Sequence, residues 1–232
     1  MTTSSNVRSA VRIWVEPSYS RFTPVDKNRI DLGIIEVSVP FALSSSITTI
    51  PLCSNSDNCN APGSTSIVSG YGLTNPSDQN SIVTNLRYAP LLAPSQSTCE
   101  ARWNSNFQCT SCFPINNICA GSNPTGSGTD SCFGDSGGPL AQDFGSSNWK
   151  LSGVVSTGTT PSGSSPLCGG NGEYGVYVSV AQNRAWIDAV VAGQRNSSAI
   201  DASCVAAQTC AGSLLAMSSS AAALLAMILF LF

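Results

Sequence analysis

An all-β chain closed by one C-terminal helix is what this sequence predicts, and three observations carry that expectation. Short runs of alternating apolar residues recur along it, rich in the Val, Ile and Tyr that suit a half-buried pleated surface. Clusters of Gly, Pro, Ser and Asn separate those runs and supply turn chemistry. Ten cysteines, an even number, imply a disulfide framework made in an oxidising compartment, which suits a loop-rich extracellular protein.

In chain order, Val11–Val15, Leu32–Val37, Ser66–Gly70, Leu86–Leu92, Leu151–Val155 and Gly175–Val180 read as strands bounded by turn residues. Convincing helical spacing is confined to Ala181–Ala192, where Trp186, Ile187, Val190 and Val191 cluster on one face and Gly193 offers a stop. A polar linker follows from residue 194 to 213, containing the glycosylation sequon Asn196-Ser197-Ser198. The stretch 221–232 is wholly apolar, but twelve residues fall short of the ~20 that span a bilayer. Preceded by small residues, the tail 214–232 reads as a GPI-attachment signal or a C-terminal membrane anchor. Such a tail implies the secretory pathway and a cell-surface location, while the segment from Met1 to Trp14 has no apolar core of a signal peptide.

Charge excludes one class of partner. With 10% charged residues, a net charge of -3 and no two basic residues adjacent, the chain has no electrostatic footprint for nucleic acid. Cys109-x-x-Cys112 has the spacing of half a zinc site, but no histidine and no second such pair complete four ligands. No metal or cofactor is implied.

The most informative stretch is Asp130-Ser131-Cys132-Phe133-Gly134-Asp135-Ser136-Gly137-Gly138-Pro139-Leu140. Glycines flank Ser136, so the backbone turns tightly and an acyl group can approach closely. The N–H groups of Gly134 and Ser136 are then candidates for an oxyanion hole, where each donor is worth roughly 3–4 kcal/mol. This run resembles the nucleophile loop of the chymotrypsin/trypsin family of serine peptidases. Other segments resemble the same family in the expected order: Val11–Tyr19, Asp31–Val37, Val68-Ser69-Gly70-Tyr71-Gly72, Ile118-Cys119-Ala120-Gly121, Gly175-Val176-Tyr177 and Ala185-Trp186-Ile187-Asp188.

The resemblance implies a trypsin-like double β-barrel. Residues 1–62 are then the remnant of an incomplete first barrel and 63–180 a complete second barrel, followed by the helix 181–193. It implies Ser136 as nucleophile and Asp31 as the carboxylate that orients a histidine. Asp130 would be the pocket floor, pairing with a substrate Arg or Lys by a charge-assisted contact. Ser156, Gly158 and Gly175 would bind substrate, the two glycines leaving the pocket walls open. Thr157 stands where the family usually has Trp, which predicts a shallower adjoining subsite, and the rim from Gly158 to Cys168 is longer than usual. The family further implies disulfides Cys132–Cys168 and Cys99–Cys119. Cys53 and Cys59, Cys109 and Cys112, and Cys204 and Cys210 remain as near neighbours whose pairing the sequence leaves open. Asp135 in this family receives an ammonium freed by zymogen cleavage, a partner this chain does not supply.

The sequence holds no histidine at all. The segment that should carry it would precede Val11, so the expectation is a fragment lacking its N-terminal part, inactive as written. The implied function is a serine endopeptidase that cleaves after Arg or Lys in protein and peptide substrates and meets protein inhibitors. The alternative is a non-catalytic homologue that binds peptides through the same pocket.

Overall fold

A computed structural model describes residues 7–19, 27–121, 128–160, 168–193, 198–201 and 227–228. Most of the tail 214–232, the sequon residues Asn196 and Ser197, the pocket-rim residues 161–167, and Cys204 and Cys210 lie outside the described residues.

The chain runs β1 (Ala10–Val15), β2 (Gly33–Val37), β3 (Thr65–Gly70), β4 (Arg87–Leu92), α1 (Gln96–Asn106), β5 (Asn117–Ala120), β6 (Pro139–Asp143), β7 (Trp149–Gly158), β8 (Gly175–Ser179), α2 (Arg184–Val191), β9 (Ser198–Asp201) and β10 (Met227–Ile228). These strands make two antiparallel sheets. One is six-stranded, in the order β4-β3-β6-β7-β8-β5. It curls back on itself, because Leu92 at the end of β4 exchanges both backbone hydrogen bonds with Gly121 just after β5, at 2.8 and 3.0 Å. Its interior is filled by Val68, Leu91, Ile118, Ala120, Leu140, Val155 and Tyr177.

The second sheet has the order β10-β2-β1-β9. Ser198–Asp201 and Met227–Ile228, which lie within the segments read as a polar linker and an apolar tail, pair as short strands on β1 and β2. Backbone pairing is the physical reason: an open sheet edge presents unpaired N–H and C=O groups, and almost any extended segment can satisfy them. Trp14, Ile30, Leu32 and Ile34 from this side pack with Leu151, Val154, Val178 and Val180 from the other and with Ile187 and Val190 of α2. That shared core fixes the sheets against each other. On α2 the apolar face is narrower than its spacing suggests: Ile187 and Val190 are buried, whereas Val191 at the end is 40% exposed.

Helix α1 is not anticipated by the apolar spacing. Its buried residues are just Cys99 and Trp103, four apart on one face of an otherwise polar segment. Ser95 caps it, its hydroxyl accepting the Thr98 N–H at 3.1 Å. The disulfide Cys99–Cys119 and the T-shaped contact of Trp103 with Phe113 then dock it beside β5. Strand β6 is hidden from the alternation rule for two reasons. It opens on a proline, tolerated at a strand's first residue, and its buried Gln142 is satisfied by the Asn60 N–H at 2.8 Å. Among the described residues four disulfides form: Cys53–Cys59, Cys99–Cys119, Cys109–Cys112 and Cys132–Cys168.

Candidate active site

The segment from Cys132 to Gly138 folds as consecutive tight turns ahead of β6. Asp135 N–H donates to the Cys132 carbonyl at 3.0 Å and Gly138 N–H to the Asp135 carbonyl at 2.8 Å. Gly137 and Gly138 lock onto Val155 of β7 through bonds of 2.9 and 3.0 Å. This path needs left-handed backbone at Gly134 (φ 94°) and Gly137 (φ 80°), which is why glycine brackets the serine. The N–H groups of Asp135, Gly137 and Gly138 are thereby used. Among the described residues, no backbone acceptor takes those of Gly134 and Ser136.

Asp135 lies against Gly70 and Gly72 and is not left without partners. Its carboxylate accepts the Gly72 N–H at 2.8 Å and the Cys132 N–H at 2.9 Å, so main-chain donors satisfy it where the sequence led us to expect an unmet charge. Gly72 is required for that approach, since a Cβ there would fall 2.6 Å from Asp135 Cγ. Gly72→Ala is expected to push the carboxylate off its two donors and to lower stability by about 1–3 kcal/mol. A urea melt reads this directly, and an unshifted midpoint would refute it.

Beside this loop lies a cavity of ≈ 260 Å³, onto which both Ser136 and Asp130 face. Ser156, Thr157, Gly158 and Thr160 form one wall and the Cys132–Cys168 pair contributes another. Asp130 Oδ1 accepts the Ser131 N–H at 2.8 Å and the hydroxyl of Tyr177 at 3.4 Å. Burial pushes the Asp130 carboxyl up to about 7, against the downward pull of those bonds. Burial likewise pushes the Tyr177 phenol well above its ordinary value, with the adjacent Asp130 charge adding to the effect. Gly175 backs this carboxylate and does not line the cavity. A Cβ there would lie 2.5 Å from Asp130 Oδ1 and 2.6 Å from the Tyr177 hydroxyl.

Asp31 stands just ahead of β2, and among the described residues the side chain of Ser156 connects it to the cavity. Ser156 Oγ donates to Asp31 Oδ2 at 2.7 Å, and the Arg29 guanidinium lies 3.8 Å from the same oxygen. Burial holds the Asp31 carboxyl above its ordinary value, with the Ser156 bond and Arg29 pulling the other way. Ser156 can reach because β7 carries an extra residue here. Val155 faces Tyr177 and Thr157 faces Val176, so Ser156 is the unpaired residue of a bulge. The structure therefore brings Ser136, Asp130, Ser156 and Gly158 to one cavity, with Asp31 and Gly175 one layer behind. Sequence reading misses Ser131 and Tyr177 as partners of Asp130. A usable signal exists for Tyr177: it follows Gly175 by two on a strand, hence on the same face.

Two packed antiparallel sheets, with a glycine-bracketed serine and a recessed carboxylate sharing a cavity, are the architecture of the chymotrypsin/trypsin class of serine peptidases. Comparison with known proteins agrees. A sequence model of the family described as Trypsin matches residues 2–187, and the chain belongs to that family. It is similar to a trypsin of Xenopus laevis, 34% identical over 168 residues, covering 70% of this chain and 57% of that protein. It is 38% identical to trypsin delta of Drosophila erecta over 158 residues, covering 68% of this chain and 53% of that protein. Among solved structures it resembles neuropsin, a serine protease expressed in the limbic system of mouse brain, with a TM-score of 0.64 and 26% identity, covering 79% of this chain and 71% of that one. The chain thus spans little more than half the length of these two trypsins.

Proposed function

We propose that this chain is the nucleophile- and pocket-bearing part of a serine endopeptidase that cleaves after Arg or Lys. The observation that carries the reading is the single cavity shared by Ser136 and the Asp130 carboxyl. A cationic side chain entering it would pair with Asp130 and set the following carbonyl against Ser136 Oγ. The N–H groups of Gly134 and Ser136 would receive the oxyanion as the serine adds to the carbonyl carbon. The serine proton passes to an imidazole, held in the right tautomer by Asp31 and then used to protonate the leaving amine. This sequence contains no histidine, so in our reading that imidazole comes from a preceding segment of the whole protein. The missing histidine is also what favours a second reading, in which the pocket binds basic peptides and no bond is cut. Disulfides in either case fit an oxidising, extracellular setting.

Pocket binding tests the first half of this proposal without turnover. The full chain is titrated with 4-aminobenzamidine, a flat aromatic cation, by fluorescence. Binding needs the ionised carboxylate, and Asp130 is protonated below about 7. Affinity is therefore expected to fall about tenfold for each pH unit below 7 and to level off above it. A flat profile, or no binding, would refute the assignment of Asp130 as the pocket floor.

A further inference from the structure

Behind the cavity wall lies a second cluster of polar side chains that the proposed chemistry does not use. Glu173, two residues before Gly175, has its carboxylate only 12% exposed. It gathers three donors from two other elements: Arg102 Nη2 at 2.5 Å and Asn106 Nδ2 at 2.9 Å, both from α1, and Thr159 Oγ1 at 2.5 Å, from just past β7. Arg102 and Asn106 are four apart and so share a helix face. Thr159 is fully buried, and its hydroxyl also accepts the Tyr174 N–H at 2.9 Å. Its own N–H donates to the Tyr174 carbonyl at 2.9 Å, and its carbonyl accepts Asn106 Nδ2 at 2.9 Å. Every polar atom of Thr159 is therefore occupied. Its neighbours on either side, Gly158 and Thr160, line the cavity, while Tyr174 leads directly into Gly175 behind Asp130.

We propose that Glu173 is a positioning residue for the specificity pocket: by clamping Thr159 against Tyr174 and tying both to α1, it sets the spacing between the Gly158–Thr160 wall and the Asp130 floor. This rests on reading the cavity as a pocket for a cationic side chain. Without the carboxylate, Thr159 Oγ1 loses its acceptor, Arg102 Nη2 loses its ion-pair partner, and Asn106 Nδ2 keeps only the Thr159 carbonyl. The buried donors would then draw the wall toward α1 or admit water, and an open slot needs that wall held away from its floor.

The test uses the full chain and 4-aminobenzamidine, with Glu173→Ala, Thr159→Val and Thr159→Ser beside the wild type. Glu173→Ala and Thr159→Val are each expected to weaken amidine binding about tenfold or more, whereas Thr159→Ser, which keeps the hydroxyl, stays near wild type. Equal binding by all four proteins would overturn the proposal. If Glu173→Ala does not fold, the contrast between Val and Ser at 159 decides alone. Hydrogen exchange at the Thr159 and Tyr174 amides separates the clamp from the pocket reading. Should wild type fail to bind the amidine, the pocket assignment falls, and the clamp stands or falls on whether those two amides exchange about tenfold faster in Glu173→Ala.

Discussion

Ser136→Ala, made in a protein that carries the proposed imidazole, is expected to lower kcat on an arginyl ester by about 10⁶, leaving only a residual rate over water. The expected loss is this large because, in the proposed mechanism, the serine, its base and the orienting carboxylate act as a unit, so removing one member forfeits nearly all that the set contributes. Expected KM changes are small, since Asp130 and the cavity walls are untouched. The same logic applies to the chain as it stands: lacking histidine, it is expected to hydrolyse the ester no faster than the alanine variant. Two assays check this, burst-phase ester hydrolysis and covalent labelling at Ser136 by a serine-directed phosphonate. If the whole protein neither turns over nor labels, the binding-module reading replaces the enzyme.

Asp130→Asn is expected to reduce affinity for a basic side chain by about 30- to 5,000-fold, the range that follows when one partner of a buried charge pair is removed. The asparagine carbonyl can still accept the Ser131 N–H, so the fold around it should hold. What disappears is the negative charge beneath the incoming cation. The lower end of that range overlaps what pocket shape alone provides, since a methylene more or less in an apolar slot is worth about 10–200-fold, so the charge has to be isolated by comparison. Titration with 4-aminobenzamidine against a neutral aromatic of the same size isolates the charge. Parallel losses for both ligands would mean that the substitution collapsed the cavity, and equal binding by variant and wild type would remove Asp130 from recognition.

Much of this site is legible in the sequence because its key members sit in one short run. Asp130, Gly134, Asp135 and Ser136 follow one another within seven residues, and their glycine spacing by itself dictates a turn. Asp31 is legible from its place ahead of a clear strand. The pieces that escape are joined across the chain. Tyr177 reaches Ser131 over 46 positions, and Glu173 meets Arg102 over 71, with no local pattern to announce either. The fold behaves alike. Short strands bounded by turn residues and carrying Val, Ile or Tyr, such as β3 and β8, are readable, whereas α1 shows only two buried residues and takes its place from a disulfide and a stack of aromatic rings.

The bulge at Ser156 has a mechanical consequence. Among the described residues, every one that lines the cavity lies between Asp130 and Cys168, whereas the four-stranded sheet meets that stretch through the core that Trp14, Ile30, Leu32 and Ile34 share with Leu151 and Val154 and through the hydroxyl that Ser156 extends to Asp31. On the proposed reading, holding a side chain and cutting beside it then load different parts of the fold. Loosening the four-stranded sheet would be expected to slacken the arm at Asp31 more than the cavity around Asp130.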